Sequence, residues 1–223
     1  TQLFRTVIAA MNNCAEQLSS GVKVENIYIS TLRQGFCLID DEKEITPIYL
    51  NSDTSGELAR RELEKYGSKK IYEETGHWFA PQLTLPKLIN LFSHHPELRK
   101  NNTKLLFVHD WLVWKLTQEK ITEMTLVSAG QMAKLSEKGI HTELLEYFDI
   151  PANILPKPQK FGTEVGAIET RALAELSTRW SGAKVFVGGG DSHFLHMGAS
   201  GNHSAKVVIS AGSSTPISLL STS

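Results

Sequence analysis

The chain has 223 residues and a formal net charge of −1, with 41% hydrophobic and 21% charged residues. This balance is typical of a globular protein with one substantial core or two small domains. A near-neutral chain without a Lys/Arg stripe argues against nucleic acid and against an anionic membrane as partners. The two cysteines lack metal-like spacing, and we see neither a membrane span nor a signal peptide, so we expect a reduced, cytoplasmic protein.

The spacing of apolar residues predicts alternating helices and strands. Apolar positions at helical spacing run from Leu3 to Leu18, and Ser19-Ser20-Gly21 ends that helix. The other predicted elements are a strand at 26–30, a hairpin with arms 36–40 and 45–50, a helix at 55–66, a helix from Thr84, a strand at 104–108, helices at 111–116, 142–147 and 169–177, and strands that begin at 184 and 206. This alternation predicts an α/β fold.

The ends of the last two predicted strands indicate chemistry. The first strand ends in Gly188-Gly189-Gly190-Asp191, and the second ends in the hydroxyl-rich turn 210–215. Glycines let a ligand approach the backbone, and Gly/Ser/Thr turns present donors suited to phosphate. A carboxylate beside such a turn predicts a site that moves a phosphoryl group onto a hydroxyl. The glycines and Asp191 fit equally well a plain strand-to-helix turn with Asp191 as the helix cap.

Three further segments carry polar groups next to predicted strands. Arg33 lies between two strands, where it can donate hydrogen bonds to vicinal hydroxyls or be a solvated loop arginine. The segment 51–53 can hold hydroxyls or cap a helix. For 109–111 we predict a structural role, in which Asp110 begins a helix and Trp111 packs in the core.

Asp191, His193 and His196 offer another interpretation. On a helix that begins at Asp191, the two histidines fall on one face. Two histidines and a carboxylate can bind a metal that activates water, which would make the protein a hydrolase. The spacing matches no tight metal motif, so we expect no metal ligand among these residues.

Taken in order, the motifs resemble the FGGY family of carbohydrate kinases over nearly the whole chain. The segments that carry the resemblance are 29–35, 51–53, 75–76, 83–88, 95–97, 110–117, 150–151, 188–191 and 210–214. The resemblance implies a ribonuclease H-like (actin-like ATPase) fold with two domains across a cleft. It also implies that the γ-phosphoryl group of ATP is transferred, with magnesium, to a hydroxyl of a small sugar or polyol.

The resemblance assigns roles to individual residues. Asp191 would be the base that takes the hydroxyl proton, and three residues would bind the sugar, namely Arg33, Gln34 and Asp53. The ATP phosphates would meet Gly212, Ser213 and Ser214. The Arg33-Gln34 pair is similar to the Arg-Glu of glycerol kinases and to the Met-Arg-Glu-Gly run of autoinducer-2 kinases. A linear ketose or an autoinducer-2-like substrate is therefore expected.

The chain also departs from the family pattern. The family's N-terminal Asp-Gly-Thr phosphate hairpin, which helps to hold magnesium, has no counterpart here. We therefore expect a fragment, with a partial sugar-binding domain at 1–200 and the start of the ATP-binding domain at 201–223, that is inactive alone. The alternative is a non-catalytic sugar-binding or interaction protein that retains the fold. A homodimer is an open alternative to a monomer.

Overall fold

A computed structural model describes residues 2–200, 207–209 and 217–219. The helices are α1 (Gln2–Glu16), α2 (Arg60–Tyr66), α3 (Ser68–Thr75), α4 (Thr84–His94), α5 (Val108–Thr117), α6 (Met124–Ala129), α7 (Thr142–Tyr147), α8 (Thr170–Leu173) and α9 (Asp191–Ser200). The strands are β1 (Asn26–Thr31), β2 (Phe36–Ile39), β3 (Lys104–Phe107), β4 (Thr122–Glu123), β5 (Ala133–Lys134), β6 (Gly139–Ile140), β7 (Pro158–Gln159), β8 (Glu164–Ala167), β9 (Lys184–Gly190), β10 (Val207–Ile209) and β11 (Ile217–Leu219). Short 3-10 helices occupy Ser55–Ala59, Pro96–Leu98 and Thr178–Trp180. The predicted α/β class is confirmed.

A three-stranded sheet carries the predicted glycine-rich strand at its centre. Strand β9 pairs in parallel with β1 on one side and antiparallel with β8 on the other. Val185 and Val187 of β9 are completely buried and share a core cluster with Val113 and Leu116 of α5. The β-branched side chains at alternate positions therefore face this helix, as expected for a half-buried strand.

Helix α5 is covered on more than one side. Strands β2 and β3 form an antiparallel pair whose residues alternate between two core clusters. Cys37 and Ile39 pack in the same cluster as Trp111 of α5, while Phe36 and Leu38 belong to the other cluster. Because α5 packs against both sheets, polar side chains in its first turn are withdrawn from water.

A β-bulge separates the two halves of the β1–β9 pair. The register shifts between Tyr28 and Ser30, after which Ser30 pairs with Gly189 and Thr31 with Gly190. A Cβ atom on Gly188 would lie 1.9 Å from the carbonyl oxygen of Ile29, so only glycine fits this approach. Beyond the bulge, the carboxyl ends of β1 and β9 lie side by side at one edge of the sheet.

Three predicted elements differ from the structure, and one of them, the helix at 169–177, is shorter than expected because α8 covers Thr170–Leu173. The arm 45–50 is not a strand. It meets β2 through the bridge Phe36–Tyr49 and through a hydrogen bond from the Ile45 N–H to the Leu38 carbonyl at 2.9 Å, and Glu44 just before it bridges Ile39. Pro47 has no N–H to donate, and the hydroxyl of Thr46 accepts from the backbone N–H of Leu38 at 2.9 Å in place of a backbone carbonyl.

The predicted helix 55–66 is divided into a 3-10 helix and α2. Gly67, with a φ of 114°, then separates α2 from α3, which the sequence analysis did not predict. Among the described residues, none of the helices is both long and apolar enough to cross a membrane.

Candidate functional site

Asp191 lies at the point where β9 ends and α9 begins. It is the first residue of α9, and its side chain is 61% exposed. Its Oδ1 atom accepts hydrogen bonds from the backbone N–H of Ser192 at 2.7 Å and from the Ser192 hydroxyl at 3.2 Å. The carboxylate thus satisfies an N–H of the first helical turn and still faces solvent. The helix-start interpretation and the catalytic one are compatible at this position.

Arg33 and Asp191 come together from the ends of the two parallel strands. The Arg33 Nε atom lies 4.0 Å from the Asp191 Oδ1 atom, and the Arg33 side chain is 33% exposed. A Cβ atom on Gly190 would lie 2.8 Å from the Arg33 Cγ atom. The missing side chain at Gly190 therefore leaves room for the aliphatic stem of Arg33, whose guanidinium group reaches the carboxylate.

The imidazoles around Arg33 favour the neutral form. Burial lowers the pKa of His77, and the charge of Arg33 lowers it further. Burial also lowers the pKa of His193, again with a contribution from Arg33, while Asp191 opposes it. Arg33 and Asp191 are therefore flanked by imidazole rings whose lowered pKa values favour the neutral form.

Gln34 is held by its backbone. Its φ of 60° lies in the left-handed region, and its carbonyl oxygen accepts from the Thr84 hydroxyl at 3.2 Å and from the Lys87 Nζ atom at 3.0 Å. Within the residues that the structure describes, its side-chain amide makes no hydrogen bond and is half-buried. That amide is consequently available to a ligand.

Asp53 borders a separate opening. It lines a cavity of about 330 Å³ together with Lys87, and its Oδ1 atom accepts from the backbone N–H of Ser55 at 2.7 Å. Partial burial raises the pKa of Asp53, but hydrogen bonds from Ser55 and the charge of Lys87 outweigh it, so the net shift is downward. Neither Arg33 nor Asp191 lines this cavity. Among the described residues, Asp53 makes neither a hydrogen bond nor an ion pair with Gln34, and Lys87 lies between them.

Lys87 is a functional candidate that the sequence analysis missed. It is only 1% exposed, and its Nζ atom donates to the carbonyl oxygens of Gln34 and, at 2.8 Å, of Leu50. Burial lowers the pKa of Lys87 to about 8, although the charge of Asp53 opposes this shift. A lysine between Leu85 and Leu88, at a core-facing position of a helix, is the signal that could have identified it.

A second buried polar group lies beneath β9. His109 and Asp110 in the first turn of α5 are both 0% exposed, as is Thr122 of β4. The His109 Nε2 atom accepts from the backbone N–H of Gly188 at 2.9 Å, and its Nδ1 atom lies 2.8 Å from Asp110 Oδ1. The Thr122 hydroxyl donates to Asp110 Oδ2 at 2.7 Å. The predicted structural role of 109–111 holds for Trp111, which is fully buried, but the sequence did not indicate this network.

Glu123 approaches the same strand from the other side. Its carboxylate caps α6 by accepting from the backbone N–H of Thr125 at 2.9 Å, and burial raises its pKa. A Cβ atom on Gly189 would lie 3.2 Å from Glu123 Oε2. In the described part of the chain, no three His, Cys, Asp or Glu side chains are grouped so that they could hold a metal ion. The structure therefore offers no support for the metal-hydrolase interpretation of Asp191, His193 and His196.

The phosphate-binding residues predicted from the resemblance lie outside the described residues. These are Gly212, Ser213 and Ser214. The strands on either side of them, β10 and β11, form an antiparallel pair in which Val208 lies opposite Ser218.

Comparison with known proteins agrees with this architecture. A family profile described as "FGGY family of carbohydrate kinases, N-terminal domain" matches residues 1–198. A rhamnulokinase of Yersinia pestis bv. Antiqua (strain Angola) is 33% identical over 151 residues, which is 66% of this chain and 31% of the relative. An autoinducer-2 kinase of Enterobacter sp. (strain 638) is 27% identical over 172 residues, or 75% of this chain and 32% of the relative.

Solved structures share the fold. The ligand-bound xylulose kinase from Lactobacillus acidophilus superposes with a TM-score of 0.85 over 97% of this chain and 44% of that one, at 19% identity. The xylulose kinase from Rhodospirillum rubrum gives a TM-score of 0.83 over 97% of this chain and 45% of that one, at 20% identity. The predicted ribonuclease H-like (actin-like ATPase) fold is confirmed. The chain spans about a third of the length of the curated relatives it matches, and it belongs to the FGGY family of carbohydrate kinases.

Proposed function

We propose that the protein transfers the γ-phosphoryl group of ATP to a hydroxyl of a small sugar or polyol. The observation that carries the proposal is the pairing of Arg33 with the exposed carboxylate of Asp191 at the edge of the β1–β9 pair. Phosphoryl transfer depends on the positioning of the reactants and on neutralisation of charge rather than on covalent chemistry by the protein. An arginine that binds hydroxyls, next to a carboxylate that accepts a proton, would form the sugar side of such a site.

Asp191 would act as the base. Both hydrogen bonds from Ser192 end on Oδ1, which leaves Oδ2 free to accept the proton of a substrate hydroxyl. Glycines 188–190 remove side-chain bulk on the approach to this carboxylate. Arg33 would donate to a neighbouring hydroxyl, and the unpaired amide of Gln34 would donate or accept beside it. We assign Asp53 to sugar binding, in the cavity that it lines together with Lys87.

ATP and magnesium are part of the proposal. ATP supplies the phosphoryl group, and we assign its phosphates to the turn of Gly212, Ser213 and Ser214. Magnesium in such sites is bound through substrate phosphates and one or two carboxylates, so a cage of protein ligands is not required. This fits the described residues, which offer the exposed carboxylate of Asp191 but no group of three ligands. We also propose that 1–200 belongs to the sugar-binding domain, that 201–223 begins the ATP-binding domain, and that the protein is cytoplasmic.

The expected substrate is a linear ketose or an autoinducer-2-like compound. The names of two relatives, rhamnulokinase and xylulose kinase, each denote kinases of a ketose, and a third is an autoinducer-2 kinase. Adjacent donors from Arg33 and Gln34 suit a pair of vicinal hydroxyls on an open chain.

The test is release of ADP by the full gene product with ATP, magnesium and a panel of rhamnulose, xylulose, glycerol and autoinducer-2. We expect turnover with at least one ketose, and we expect Asp191→Asn to lower kcat by roughly 10²–10⁴-fold while sugar affinity measured by calorimetry stays within about twofold. Binding of a sugar without any ADP release would support the non-catalytic alternative. A near-wild-type kcat in Asp191→Asn would remove Asp191 from the mechanism.

A further inference from the structure

At the bulge in the β1–β9 pair, the backbone N–H of Gly188 donates its hydrogen bond to a side chain. Ile29 lies at the position where the pairing slips, so the N–H of Gly188 points away from the regular ladder. The His109 Nε2 atom accepts that N–H at 2.9 Å. A buried N–H without an acceptor destabilises the fold, and the imidazole therefore replaces the missing partner on β1.

The hydrogen bonds fix the tautomer of His109. Since Nε2 accepts from an N–H, it carries no proton, and the single ring proton must reside on Nδ1. From there it is donated to Asp110 Oδ1, whose other oxygen accepts from the Thr122 hydroxyl. The hydrogen bonds therefore converge on Asp110, which accepts from His109 on one side and from Thr122 on the other, while His109 accepts from Gly188. All three side chains are 0% exposed, so water offers no alternative partner.

We propose that His109 is a positioning residue for Asp191, and that Asp110 and Thr122 hold it in the tautomer that this role requires. The inference rests on the proposed function. Gly188 and Asp191 lie on one short glycine segment that has no side chains of its own to pack. The direction in which this segment leaves the sheet is consequently set by its backbone contacts, and within the described residues a side chain, that of His109, makes one of them. Bulges beside active sites re-aim the residues that follow them.

This role differs from that of an ordinary buried histidine. His141 offers the matched control, because it is also 0% exposed, lies 3.0 Å from a carboxylate oxygen of Glu74 and accepts a backbone N–H from Leu144. It is on the loop before α7, and among the described residues it makes no contact with β9. If His109 were merely structural, substitution of either histidine would have the same kind of effect.

The experiment compares His109→Phe, His109→Gln and His141→Phe in the full gene product. We expect His109→Phe to lower kcat by roughly 10–100-fold with KM for the sugar nearly unchanged, because a small misplacement of a catalytic group is costly. His109→Gln, whose amide can accept from Gly188 and donate to Asp110, should recover most of that loss. His141→Phe should lower the melting temperature and leave kcat within about twofold.

Hydrogen exchange tests the hydrogen bond between Gly188 and His109 without an activity assay. The Gly188 amide should exchange at least about tenfold faster in His109→Phe than in the wild type and in His141→Phe. Equal exchange at Gly188, or equal kcat in the two Phe variants, would overturn the inference. Should no sugar support ADP release, the proposed function fails, whereas wild-type turnover in Asp191→Asn removes only the role of Asp191 as the base. In either case the exchange result still decides whether His109 holds Gly188.

Discussion

The two sides of the candidate site are held in different ways. Asp191 follows a strand end that is fixed by a closed set of buried hydrogen bonds from Thr122 to Gly188. The carbonyl oxygens of Gln34 and Leu50 are held instead by one buried cation, Lys87, with the Thr84 hydroxyl as a second donor to Gln34. The first arrangement pairs every donor with an acceptor, and burial raises the pKa of Asp110 within it. The second depends on a charge that burial destabilises, so the sugar-binding side should respond to pH through Lys87.

The largest effect on stability is expected from Gly188→Ala, which adds a methyl group on the Asp191 side of the site. Gly188→Ala would place a Cβ atom 1.9 Å from the carbonyl oxygen of Ile29, so the strands must separate locally. We expect a loss of about 3 kcal/mol or more in the free energy of unfolding, measured with urea. Gly189→Ala is the matched control, because its Cβ atom would meet Glu123 Oε2 at 3.2 Å, at the end of a side chain that can move. Equal losses in the two variants would mean that the bulge is not tightly packed.

Titration of Lys87 tests how the sugar-binding side of the site is held. The pKa of Lys87 is about 8 in the folded protein against an ordinary value of 10.5, so between these values the unfolded chain binds more protons. Raising the pH through this window therefore stabilises the folded protein, by roughly 3 kcal/mol in total at 1.36 kcal/mol per unit. Below about pH 8 the full cost of burying the charge is present.

The measurement is the difference in unfolding free energy between the wild type and Lys87→Met as a function of pH. We expect the difference to shift in favour of the wild type by about 1.4 kcal/mol per pH unit between 8 and 10.5. Lys184→Met, at a side chain that is 52% exposed, is the control for removal of a lysine from the surface. A flat difference for Lys87→Met would show that Lys87 is neutral throughout or accessible to water.

The smallest effect concerns Arg33, which joins the two sides. Arg33→Ala in the full gene product should raise KM for the sugar by an amount equivalent to roughly 1–3 kcal/mol, because a substrate hydroxyl loses its donor. Arg33→Lys retains the charge without the fork of donors and should recover only part of the affinity. Unchanged KM and kcat in Arg33→Ala would identify Arg33 as a solvated loop residue.

Local pattern predicted much of this molecule. The β-branched residues of β9 and the glycines before Asp191 indicate both a buried strand and its end, and the apolar spacing of α7 predicts its bounds of 142–147 as observed. Both follow from side-chain periodicity, which is a property of short segments. The proximity of Arg33 to Asp191 follows from the parallel pairing of β1 with β9, which no local pattern could establish.

Other features depend on contacts between distant segments. His109 and Gly188 are 79 positions apart, and Lys87 reaches the carbonyl of Gln34 across 53 positions. A short window does not show these distant partners, although the core-facing position of Lys87 on α4 marks it as a candidate for burial. Helix α3 was missed because Gly67 interrupts the helical pattern and the residues after it are mostly polar, with burial only at Ile71 and Thr75.

At Gln34, which has a left-handed backbone, the course of the loop depends on backbone contacts and not on the identity of the side chain. Thr84 and Lys87 both bind the carbonyl oxygen, so neither anchor depends on what the side chain is. Exchange of the amide for a carboxylate or an imidazole would change the hydrogen bonds offered to a sugar while the loop kept its course. Position 34 is therefore a place where selectivity can be altered with little effect on the scaffold, and substitution there is a direct route to a changed choice of sugar.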